Sequence, residues 1–139
     1  MPNLVQKENG SVGIEGNPAY SAGFVNVTFA YDSNLDNKDI FVAPRDFVVS
    51  GATLRPKIAG TDGGSVSVAI VKCASGAPDS SGTSISSTTL NLKGTINTPQ
   101  HATITASAAK LPKGYALTLS ATGTTTAATG IVTVLLSPA

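Results

Sequence analysis

The chain has 139 residues, enough for one domain and too few for a two-domain enzyme. Charged residues make up 12% and aromatics 5%, with no Trp, while 32 positions are Ser or Thr, the composition of a β-rich module rather than a charged helical one. Nine basic against eight acidic side chains leave a net charge of +1, far from the excess that phosphate neutralisation needs, so nucleic acid is not an expected partner.

The single cysteine, Cys73, has no partner for an intrachain disulfide, so stability must come from apolar burial and backbone ladders. A chain of this length buries about two-thirds of its unfolded surface, which makes that demand reasonable. Met1 to Gly10 holds no apolar run of signal-peptide length, and no stretch is long enough to span a bilayer, so the expectation is a soluble protein made in a cytoplasm with no membrane partner.

Residues 1 to 22 show no sustained period and hold Asn3, Asn9, Gly10, Gly13, Gly16, Asn17 and Pro18, which predicts an extended N-terminal arm. From Phe24 to Tyr31 the pattern changes: Val25, Val27, Phe29 and Tyr31 share one face at period two, a strand. A polar loop from Asp32 to Asp39 leads to a short strand at Ile40 to Val42, closed by Pro44. Phe47 to Ile58 reads as a long strand with Val48, Ala52, Leu54 and Ile58 on one parity, and Gly51 and Pro56 predict a bulge or an edge. Asp62-Gly63, between two alternating runs, is a hairpin signal. In the next strand, Ser65 to Cys73, Val66, Val68 and Ile70 share a face, and Ala69, Val71 and Cys73 on the other predict a second half covered on both sides. After a surface loop from Ala74 to Thr83, weaker strands are expected at Ser84 to Lys93 and Ala102 to Ser107. Tyr115, Leu117, Leu119 and Ala121 alternate again, and a Thr-rich loop from Thr122 to Thr129 joins them to a last strand, Gly130 to Leu136.

Eight strands with no helix of ten residues give an all-β fold, best a jelly-roll sandwich of antiparallel strands over residues 23–139. An immunoglobulin-like sandwich is the alternative, without the Trp and the cysteine pair that usually support it.

The sequence offers little catalytic chemistry. His101 is the one histidine, and no triad can be built around it by spacing. No nucleophile elbow, phosphate loop or dinucleotide fingerprint occurs, and Gly10, Gly13 and Gly16 lie in the arm rather than between a strand and a helix. Cys73 reads as a buried, inert thiol. Asp32, Asn34 and Asp36 match positions 1, 3 and 5 of a calcium loop, but Asn37 replaces the glycine of position 6 and Ala43 the glutamate of position 12. The expectation is no enzyme, no metal and no cofactor. A sugar platform would need flat aromatic faces, and the seven aromatics fall mostly in or beside predicted strands.

Two stretches carry a resemblance: Ile40-Phe41-Val42-Ala43-Pro44-Arg45-Asp46-Phe47, followed by Ile58-Ala59-Gly60-Thr61-Asp62-Gly63-Gly64-Ser65-Val66-Ser67-Val68; and Leu111-Pro112-Lys113-Gly114-Tyr115-Ala116-Leu117-Thr118-Leu119, followed by Gly130-Ile131-Val132-Thr133-Val134. Over about residues 23 to 136 the chain resembles the small capsid cement, or decoration, proteins of tailed bacteriophages, those of short-tailed phages in particular. That resemblance implies a jelly roll on the outer capsid surface of a virion, clamping neighbouring major capsid subunits of an HK97-type shell as a small symmetric oligomer, without catalytic residues. A homodimer is the favoured oligomer, with a trimer as the alternative. The arm is expected to latch onto the capsid or a neighbouring copy through Leu4, Val5, Val12 and Ile14, which have no period that would bury them in their own domain. A glycan- or receptor-binding β-sandwich of a head fibre is the rival reading.

Overall fold

The computed structural model describes residues 23–32, 35, 37–61 and 63–139, and the backbone of residues 4–6 and 12–14. Within the stretch read as an extended arm, β1 (Leu4–Gln6) and β2 (Val12–Ile14) pair antiparallel as a sheet of their own, with Leu4 opposite Ile14, Val5 opposite Gly13 and Gln6 opposite Val12. Three residues per strand are too few for any alternation to register in sequence.

The rest is a sandwich of two antiparallel five-stranded sheets. Its strands are β3 (Val25–Tyr31), β4 (Lys38–Val42), β5 (Phe47–Ile58), β6 (Ser67–Cys73), β7 (Thr83–Ser84), β8 (Leu90–Asn91), β9 (Gln100–Ala102), β10 (Lys110–Leu111), β11 (Ala116–Thr122) and β12 (Thr129–Pro138). The first sheet runs β10-β5-β12-β3, with β9 also against β5; the second runs β4-β11-β6-β7, with β8 also against β6. β7 and β8 are thus one edge broken in two, and so are β9 and β10. Counted once each, they leave eight strands in the orders 6-3-8-1 and 2-7-4-5, the jelly-roll arrangement of two interleaved Greek keys.

The core lies between the sheets and follows the alternation. Val27 and Tyr31 of β3, Val68 and Ile70 of β6, Leu117 and Leu119 of β11, and Val132, Val134 and Leu136 of β12 all point inward and are buried. In β5 the parity differs from the sequence reading. Phe47 and Val49 are buried, then Ala52, Leu54 and Pro56, while Ile58 is exposed. The ladder to β12 skips Ser50 between Val49 and Gly51, so a bulge there, the one Gly51 predicts, moves the inward set by one residue.

The Asp62-Gly63 hairpin signal is also overturned, because β5 and β6 belong to opposite sheets and the segment between them crosses the sandwich. Its backbone bonds to other loops, Gly60 N–H to the Leu92 carbonyl at 3.1 Å and Thr61 N–H to that of Thr126 at 3.2 Å, so tertiary partners override a local turn preference. The predicted strand at 84–93 shrinks to short pairings near its ends, β7 and β8, and of the one at 102–107 only Ala102 lies in a strand, β9, while Ala106–Ala108 form a 3-10 turn. Along the rest of both stretches, Ile85 donates to the Ile70 carbonyl and accepts from Thr105, both at 2.8 Å, and Ser86 bridges Ile104. These bonds stitch the two sheets together along that side.

Candidate interaction surface

The chemistry-bearing side chains sit apart on different elements. His101 lies on β9, and its Nδ1 shares a 3.1 Å hydrogen bond with the Thr53 hydroxyl on the outer face of the first sheet. Cys73 is buried on the outward side of β6, its Sγ 3.5 Å from both the Asp79 carbonyl and the Thr118 hydroxyl. The loop 74–82 covers it, and a Cβ at Gly82 would lie 2.9 Å from that sulfur and 2.8 Å from Val71 Cγ2. This lid gives the second half of β6 the two-sided burial its sequence predicts. Thr118 in turn donates to Asp39 Oδ1 at 2.7 Å. Partial desolvation, then the charge and hydrogen bonding of Asp39, push the Asp79 carboxyl above the usual carboxylate range.

Of the calcium-like spacing, Asn34 and Asp36 lie outside the described residues, and among the described residues no cluster of three His, Cys, Asp or Glu side chains could hold a metal. No helix among the described residues is long and apolar enough to cross a membrane. The four residues expected at a capsid contact all fall on the β1–β2 hairpin: Leu4 and Ile14 are direct partners, Val5 pairs with Gly13, and Val12 with Gln6.

A surface that sequence reasoning missed is the outer face of the first sheet. The β12 ladders set Ala30, Ile131 and Arg55 in one row, then Thr28, Thr133 and Thr53, then Asn26, Leu135 and Gly51. Ile131 and Leu135 are 46% and 41% exposed at its centre, and Arg55 carries the one formal charge in those three rows. The second sheet's outer face is partly roofed by loop 74–82, whereas these rows are open. Two uncovered apolar side chains on one outer face, with a row of threonines between them, make the kind of surface that can mark a protein contact. β12 is apolar on both parities, and that hid the outward pair. Elsewhere, Ser65, Ser67, Thr89, Asn91 and Lys93 line a groove of about 450 Å³, where Lys93 Nζ donates to the Gly64 carbonyl at 3.0 Å.

No protein-family model matches the chain, and no curated protein matches its sequence. Its structure is similar to one titled "Capsid of Ralstonia phage GP4", with a TM-score of 0.57 and 14% identity over 85% of this chain and 86% of that one. This jelly roll is a fold found in a phage capsid. The likeness spans most of both chains, and at 14% identity what it carries over is the architecture.

Proposed function

We propose that the protein is a structural component of a phage virion: a non-enzymatic cement protein that binds the outer surface of an HK97-type shell and clamps neighbouring major capsid subunits. The observation that carries this reading is the fold shared with a chain of the GP4 phage capsid over 85% of the length, together with the sequence resemblance to cement proteins. The physics is mass action. A protein that binds assembled shell more tightly than free subunits shifts the equilibrium toward assembly and slows subunit loss. Individual contacts need not be strong if one oligomer touches two subunits, because the second contact forms at high effective concentration.

The open outer face of the first sheet, with Ile131 and Leu135 at its centre, is the surface assigned to the shell, and the β1–β2 hairpin is the second contact. A net charge of +1 on 139 residues suits close packing beside identical copies. The polar groove at Ser65 and Asn91 favours the rival, glycan binding, although no aromatic ring lines it. Two assays separate the readings. Purified protein added to shells lacking it should sediment with them in a saturable manner and leave a glycan array blank; array binding without sedimentation would replace cement by glycan recognition.

A further inference from the structure

We propose that β3 is the edge along which two copies of this chain pair, antiparallel and about a two-fold axis at Thr28, so that their first sheets run on as one. The inference concerns self-association and does not depend on what the protein binds.

A sheet edge presents unpaired backbone donors and acceptors, and proteins guard such edges with short strands, charges, proline or bulges. The sandwich has four sheet edges, and three are guarded. The edge beyond β5 is split into β9 and β10, of three and two residues, and the edge beyond β6 into β7 and β8, of two each. These two are also stitched to each other through Ile85, Ser86, Ile104 and Thr105. The third edge, β4, carries Lys38 and Asp39, and its ladder to β11 skips Ile40, a bulge.

β3 has none of these devices. It runs seven residues, Val25-Asn26-Val27-Thr28-Phe29-Ala30-Tyr31, without a charge or proline, and pairs with β12 in unbroken register. No backbone group of β3 bonds to any described residue on the side away from β12. On the inward face at this edge, Val25 and Phe29 are only partly buried against the core, and Phe24, just before the strand, is 64% exposed.

The strand's own pattern selects a second copy as the occupant. With Thr28 on the axis, Val25 opposes Tyr31 and Val27 opposes Phe29 on the inward side, while Asn26 opposes Ala30 and Thr28 opposes itself on the outward side. All seven residues pair, every inward residue meets an inward one, and aromatic–β-branched and Thr–Thr pairs are among the favourable cross-strand combinations. Without charge on the strand, nothing repels the copy. A two-fold edge contact is also closed, consuming both free edges and leaving none to propagate.

The test is light scattering of the full chain at micromolar concentration, alongside two variants at Thr28, whose side chain is exposed. The wild-type protein should have the mass of two copies. Thr28→Lys, which sets two ammonium groups face to face on the axis, should have the mass of one copy with an unchanged far-ultraviolet circular dichroism spectrum. Thr28→Cys should form a covalent dimer on mild oxidation, since directly opposed antiparallel residues hold their Cα atoms about 4.5–5.5 Å apart, within the roughly 4.4–6.8 Å that a disulfide spans. Thr124→Cys, in an exposed loop, should not. A wild-type mass of one copy, an oligomer that survives Thr28→Lys, or the absence of a Thr28→Cys cross-link would overturn the proposal. No shell enters the experiment, so such a result leaves the cement reading standing, and failure of the cement reading leaves the dimer standing.

Discussion

Ile70→Ala cuts a side chain at the centre of the second sheet. Ile70 has no exposed surface, lies opposite Leu119 on β11, and its carbonyl accepts the Ile85 amide at 2.8 Å. The substitution removes three carbons, worth about 2.4 kcal/mol at about 0.8 kcal/mol per buried methylene. Ladders on both sides hold the strand in place, so the cavity cannot collapse fully, and its residual volume raises the expected loss to about 3–5 kcal/mol. Val68→Ala, one inward position earlier on β6, removes two carbons and should cost about 2–3 kcal/mol by the same reasoning. Thr124→Ala, on the exposed side of the Thr-rich loop, should stay within about 0.5 kcal/mol of wild type. Urea denaturation monitored by circular dichroism reads all three. With a slope of about 1–3 kcal/mol per molar urea, Ile70→Ala lowers the midpoint by about 1 M or more. Three variants with a common midpoint would show that β6 does not line the core.

Gly130→Ala should destabilise despite the small size of the change, because a Cβ there would lie 2.5 Å from the Arg55 carbonyl oxygen and 2.5 Å from the Tyr31 hydroxyl; a thermal midpoint equal to wild type would refute the contact. Burial pushes the Tyr31 phenol up to about 12, from about 10 when unfolded. The unfolded chain therefore loses that proton first, so the contribution of Tyr31 is complete below pH 10 and lost as pH rises through 12. Tyr31→Phe should accordingly lose less stability than wild type between pH 10 and 12, and parallel pH curves would contradict this. On the proposed shell face, Ile131→Lys and Leu135→Lys should leave the thermal midpoint nearly unchanged and weaken co-sedimentation with shells, as should deletion of residues 1 to 22; undiminished binding by all three would place the contact elsewhere.

Much of the fold was legible because one buried face writes a period of two into the sequence: Val25 to Tyr31 and Tyr115 to Ala121 show it plainly, and both form strands where expected. Three features escaped for physical reasons. Gly51 made a bulge in β5 legible, but the bulge shifts the register by one, so the single parity that grouped Val48 with Ala52 and Leu54 missed that Val49 is the buried residue. Leu35, Thr125 and Ala128 are buried from within loops read as polar or surface segments, where no repeat marks an inward residue. The broken edge beyond β6 has apolar residues at Ile85, Leu90 and Leu92, enough to suggest one strand, yet only the short β7 and β8 form ladders with β6. The candidate surface was the least legible part. Ile131 and Leu135 are outward residues on a strand whose inward residues are equally apolar, and only the assembled sheet shows which set is left uncovered.

The claim that the protein cements a shell is tested most directly by comparing the thermal release of DNA from particles carrying it with release from particles assembled without it. Particles without it should release their DNA at a lower temperature, and adding back purified protein should restore the higher one. Superimposable melting curves for bare and decorated particles would contradict a cementing role.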